Sequence, residues 1–113
     1  MRAETLKGHL DGMLLASLEA EPLHGYAIME ALRAGSGGRF DLPTGTVYPA
    51  LHRLERAGLV QAAWSETGGR RRRVYQLTPD GRRALDSERG TWREFSAAVT
   101  AMLGPAAPQA ATS

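Results

Sequence analysis

Residues 43–77 read PTGTVYPALHRLERAGLVQAAWSETGGRRRRVYQL, and the order of apolar, glycine and arginine residues within this stretch decides the fold. Val47, Leu51 and Leu54 recur at three- and four-residue spacing, the stripe of an amphipathic helix that begins near Pro43-Thr44. Gly58 stands just past the last periodic residue, where a helix end turns left-handed and glycine is favoured. The opposite face of this helix carries Gly45, Tyr48, Pro49, His52, Arg53 and Arg56. Tyrosine beside two arginines on a surface face suits a flat, anionic partner. Pro49 falls within the first two turns, where its missing N–H does least damage. Leu59 to Ser65 then reads as a strand and Val74 to Leu77 as another, with Glu66-Thr67-Gly68-Gly69 as the hairpin signal between them. Arg70, Arg71, Arg72 and Arg73 make the tip and second strand strongly basic. Strand alternation sends Arg71 and Arg73 to one face and Arg70 and Arg72 to the other. Tyr75, alternating with Val74, reads as buried scaffold.

Upstream, Leu10, Met13, Leu14 and Leu18 predict an amphipathic helix over about residues 8–20, closed by Glu21-Pro22. A second helix is predicted from about His24 to Arg33, with Ile28, Ala31 and Leu32 inward, and Gly35-Ser36-Gly37-Gly38 stops it. Downstream, Thr78-Pro79-Asp80-Gly81 opens a long helix: a threonine N-cap, a proline at the first helical position and an acid at the positive end. That helix continues to about Leu103, before Gly104-Pro105. Leu85, Trp92, Phe95, Val99 and Met102 follow helix-seam spacing, with Glu88 the one polar place in the series. These five are the expected dimerisation residues. Gly90 inside the helix costs about 1 kcal/mol relative to alanine, which packing against a second helix would offset. The expected organisation is a DNA-reading domain over residues 1–77, a dimerisation helix over 78–104 and a disordered tail over 105–113.

The 113-residue chain is long enough for one modest core. It has no cysteine, hence no disulfide and no thiolate metal site, which fits a reducing cytoplasm. No apolar run approaches the roughly 18 residues of a membrane span, and the N-terminus leads into no signal-peptide core. The net charge is only +2, but residues 39–83 carry nine basic and four acidic side chains, against three and five in residues 1–38. A basic stretch concentrated in a small domain points to a polyanion. His9, His24 and His52 show no metal-ligand spacing, and no nucleophile has a matched base. The glycine-rich turn lacks the lysine of a phosphate-binding loop. No enzyme activity and no cofactor is expected.

Three helices followed by a basic hairpin and a long helix define an α+β, mainly helical chain: a winged helix-turn-helix with a C-terminal dimerisation helix. The DNA major groove, about 12 Å wide, admits one helix. The third helix would enter it with Thr44, Thr46, Tyr48, Pro49, His52 and Arg53 nearest the duplex, hydroxyls and helix N-terminus on phosphate oxygens. The arginines of the hairpin suit the backbone or a narrowed minor groove. The competing class is a winged helix that binds protein. A basic, hydroxyl-bearing third helix without an apolar patch argues against it.

The segment Leu23-His24-Gly25-Tyr26-Ala27-Ile28 resembles the second-helix opening of the PadR family of transcriptional regulators. Gly45 to Val60 is similar to that family's recognition helix, and Gly69 to Gly81 to its wing and exit. The resemblance covers about residues 8–103, and the single C-terminal helix resembles the short-tailed subgroup, whose members are homodimers. It implies a repressor that binds an inverted-repeat operator, with contacts from Tyr26, Thr46, Tyr48, Pro49, His52, Arg53 and the wing. Multidrug-sensing members resemble this chain at Trp64 and Trp92, with tryptophans that sandwich flat aromatic ligands at the dimer centre. The resemblance therefore implies a planar aromatic effector whose positive charge Asp86 or Glu88 would offset. Founding-type members answer phenolic acids instead.

Overall fold

The computed structural model describes Leu6 and residues 8–104; the tail expected over residues 105–113 lies outside the described residues. In chain order the elements are α1 (Leu10–Ser17), β1 (Leu23–His24), α2 (Gly25–Gly35), α3 (Thr44–Arg56), β2 (Val60–Thr67), β3 (Arg70–Leu77) and α4 (Pro79–Leu103). The sheet is antiparallel in the order β1-β3-β2. Together they make a winged helix with a long C-terminal helix, as the sequence predicts.

The first helix ends earlier than Glu21-Pro22 would require. The Ser17 hydroxyl donates to the Leu14 carbonyl at 2.6 Å, and the Leu18 amide turns to Leu15 at 3.1 Å. A serine that bonds back along its helix competes with the next helical amide, and the last turn tightens. Leu18 is still buried, so the apolar pattern was read correctly while the boundary was not.

Strand β1 is a feature that sequence periodicity could not show, because two residues carry no alternation. Leu23 pairs with Tyr75 and His24 with Val74. The second wing strand starts at Arg70 rather than Val74. Gly68 and Gly69 both have positive φ, 61° and 78°, the pattern of a two-residue hairpin turn. That turn closes the ladder at once, so pairing runs from Val60–Leu77 out to Thr67–Arg70, and all four arginines lie on β3.

The core joins Leu14 and Leu15 of α1, Ile28 of α2, Val47, Leu51 and Leu54 of α3, Val60 and Tyr75 of the hairpin, and Leu85 of α4. Helix α3 ends in a Schellman pair: Leu59 N–H donates to the Leu54 carbonyl and Gly58 N–H to Glu55, both at 3.0 Å, with Gly58 at φ 78°. Thr78 caps α4 by accepting from Gly81 N–H at 3.0 Å, while its hydroxyl donates to the Gly58 carbonyl at 2.6 Å. Gly81 is buried so closely against Leu59 that a Cβ there would overlap its carbonyl oxygen.

The expected seam of α4 divides in two. Leu85 is 3% exposed and belongs to the chain's own core, which corrects its assignment to a dimer surface. Seam spacing alone does not tell whether the facing helix belongs to the same chain. Beyond it, Trp92 (53%), Phe95, Val99 and Met102 (86%) form an exposed apolar stripe, against which His9 covers part of Trp92.

Candidate nucleic-acid interface

Helix α3 carries its apolar stripe inward and leaves Thr44, Gly45, Pro49, His52 and Arg53 exposed, with Thr46 half-buried. Its N-cap is Pro43, which offers no side-chain acceptor; the Thr46 amide donates to the Pro43 carbonyl at 3.0 Å, which leaves the Thr44 and Gly45 amides to face an anion. Tyr48, expected to point outward, is half-buried. Its ring lies on the first residue of α2, where a Cβ on Gly25 would overlap the Tyr48 hydroxyl. Glycine is needed there for close approach. The neighbouring Tyr26 is 67% exposed.

Arg53 is ion-paired to Asp11 of α1, a residue that sequence reading did not single out. Both side chains are about half exposed, and such pairs are worth roughly 0–1 kcal/mol, so a phosphate could compete for this guanidinium.

The four wing arginines are not equivalent. Arg70 is exposed beside the turn. Arg71 lies over the Trp64 ring at 4.6 Å and Arg73 over the same ring at 5.7 Å, which confirms that these two share a face. Arg73 also donates to Glu55 of α3 at 2.9 Å, tying the wing to the C-terminal half of the third helix. On the other face, the Arg72 guanidinium sits 2.7 Å from His24 Nε2. His24 also caps α2: its Nδ1 faces the Ala27 amide at 3.3 Å. Burial, and then the Arg72 charge, hold the His24 ring below its ordinary pKa. Burial pushes the Tyr75 hydroxyl up. His24 is thus a site residue that sequence reading placed only at a helix start.

Away from this surface, a groove of about 720 Å³ lies along α1 and α4, lined by His9, Met13, Phe40, Glu88, Trp92 and Arg93 among others. Trp92 meets His9 edge-on, ring centres 5.3 Å apart, and leans on Phe95 at 6.0 Å. Of the residues singled out for an effector, the groove includes Trp92 and Glu88. Trp64 and Asp86 are not in its lining: Trp64 belongs to the wing, beneath Arg71 and Arg73. Arg89, at the groove edge, forms a two-pronged pair with Glu19 at 2.7 Å. Among the described residues no group of three acidic or histidine side chains converges as a metal site, and no helix is long and apolar enough to cross a membrane.

A three-helix unit whose third helix stands exposed beside an arginine-bearing two-stranded wing is a winged helix-turn-helix. The description "Transcriptional regulator PadR-like family" matches residues 14–87, and the chain belongs to this family of transcription regulators rather than enzymes. A transcriptional regulator of Mycobacterium tuberculosis, Rv3488, is 47% identical over 55 residues, 49% of this chain and 51% of that protein. The chain thus matches about half the length of that relative. A PadR family regulator of Clostridium difficile R20291 superposes with TM-score 0.76 at 30% identity, over 86% of this chain and all of the other. Bacillus subtilis PadR, solved in complex with operator DNA, shares the fold at TM-score 0.64 and 23% identity, over 71% of this chain and 46% of that one.

Proposed function

We propose that the chain is a homodimeric, sequence-specific DNA-binding repressor of the cytoplasm, released from its operator by a planar aromatic effector. The observation that carries this reading is the exposed polar face of α3 next to a wing that presents Arg70 and Arg71, the two joined by Arg73–Glu55. The Bacillus subtilis relative that shares the fold was solved on its operator. Thr44, Thr46, His52 and Arg53 face base edges or phosphates, Tyr26, Tyr48 and Pro49 border them, and Arg70 to Arg73 meet the backbone.

The exposed stripe Trp92–Phe95–Val99–Met102 is the expected dimer seam, since four large apolar side chains exposed along one helix call for a partner. Two recognition helices then meet half-sites about one DNA turn, ~34 Å, apart on an inverted repeat. The groove at Trp92 has the volume of a small-molecule site, and its Glu88 would offset a cationic guest. An effector there that prefers one dimer geometry would move the half-site spacing and lift repression.

Footprinting on the DNA upstream of the chain's own gene tests the reading. Two protected half-sites in inverted repeat, lost together in Phe95→Asp with its exposed stripe broken, are expected. A single asymmetric footprint from a monomer would contradict it.

A further inference from the structure

His24 faces two donors and owns one lone pair. Its Nδ1 is 3.3 Å from the Ala27 amide and its Nε2 is 2.7 Å from the Arg72 guanidinium. Both neighbours can only donate, because a backbone N–H has no acceptor and a guanidinium stays charged. A neutral imidazole carries a proton on one nitrogen and accepts at the other. The protonated ring accepts at neither. No state of His24 satisfies both contacts.

We propose that His24 is a positioning residue that alternates between holding Arg72 and capping α2, and so hands Arg72 to a DNA phosphate. In the free protein the Nδ1–H tautomer leaves Nε2 bare, and Arg72 donates to it. The shorter of the two contacts belongs to this state. When Arg72 turns to a phosphate oxygen, Nε2 loses its donor. The ring then releases the Nδ1 proton to water and takes one from water at Nε2, with no change of charge. Its freed Nδ1 lone pair accepts fully from the Ala27 amide and completes the α2 cap. That cap lies two residues from the exposed Tyr26, and β1 pairs with β3 at His24–Val74. Wing engagement and the order of the α2 entrance are thereby linked through one side chain.

This inference rests on the wing meeting DNA, and two independent arms keep the two ideas apart. The first needs no DNA. Nitrogen-15 NMR of the His24 ring in the full chain is expected to show Nδ1–H in the parent protein and Nε2–H in Arg72→Ala; an unchanged tautomer in Arg72→Ala overturns the alternation. In the second, a short duplex of arbitrary sequence is added at low salt, where backbone contacts dominate. The expected result is a switch to Nε2–H. A duplex that binds while the tautomer stays put overturns the handover alone. A chain that binds no duplex overturns the DNA reading and the handover together, while the first arm still judges the alternation.

Two variants add a functional readout. His24→Asn can accept from Ala27 N–H but is too short for Arg72; with Arg72 released and the cap kept, it should bind duplex several-fold more tightly than the parent. His24→Gln reaches Arg72 but caps poorly and should bind several-fold more weakly. The reverse order of affinities contradicts the proposal.

Discussion

The Thr78 hydroxyl joins two helices: it donates to the Gly58 carbonyl at 2.6 Å and accepts from Gly81 N–H at 3.0 Å. One end of this link is the C-terminus of α3, the other the N-terminus of α4. A shift of the C-terminal helix is therefore felt at the end of the third helix without an intervening flexible loop. Thr78→Ala loses an N-cap and should cost about 1 kcal/mol. That corresponds to a fall in Tm of roughly 4–8 °C for a domain of this size. Thr78→Ser should restore most of it. Calorimetry on the three proteins checks this, and an unchanged Tm in Thr78→Ala would remove the link.

Gly25 and Tyr48 form a second coupled pair. A Cβ at Gly25 overlaps the Tyr48 hydroxyl and crowds its ring, so Gly25→Ala should be strongly destabilising despite alanine's better helix propensity. In a Tyr48→Ala background the same change should cost little or nothing. A double-mutant cycle by urea unfolding measures the coupling; additive costs would show that the two do not compete for space.

Acid should weaken the fold in two stages. His24 is held below its ordinary value of 6.5 by burial and then Arg72, so between the two values the unfolded chain binds the extra proton. Its contribution is full above about 6.5 and is lost as pH falls through the lower folded value. Glu19 is held below 4.5, first by its hydrogen bond from Arg89, and its contribution is lost in the same direction at lower pH. Urea midpoints across this range should decline in both windows. His24→Asn should abolish the upper decline, and Glu19→Gln should shrink the lower one, to which Glu30, held below 4.5 by its hydrogen bond from Arg33, also contributes.

The wing arginines should differ in their roles. Arg70→Ala and Arg71→Ala should each reduce the slope of log affinity against log salt by roughly one, on operator and random duplex alike. Arg73→Ala should also lower stability, since it breaks the tie to Glu55. Equal effects of all four on stability and binding would contradict the division.

What the sequence revealed and what it hid follow from the range of each signal. Helix α3, its glycine end and the capped start of α4 were legible because Pro43, Gly58 and Thr78 act on their immediate neighbours. The two-residue β1 was not, since its pairing depends on β3 some fifty residues later. Arginine runs carry no apolar alternation, so the apolar pattern alone begins the second strand at Val74; the hairpin signal placed the arginines at its tip and along it, and the pairing of Thr67 with Arg70 shows where the ladder starts. The pairs Arg53–Asp11 and Arg72–His24 join residues 42 and 48 positions apart, and no local pattern encodes them. Leu85 shows the same limit: helical spacing gives a face but not the neighbour that covers it.

The central claim is DNA recognition by α3 and the wing, and fluorescence anisotropy at two salt concentrations tests it most directly. The DNA upstream of the chain's own gene should bind at nanomolar or tighter concentration, at least about 10³-fold better than a random duplex. Affinity for both should fall steeply as salt rises. Weak binding, equal on both duplexes and insensitive to salt, would contradict the account.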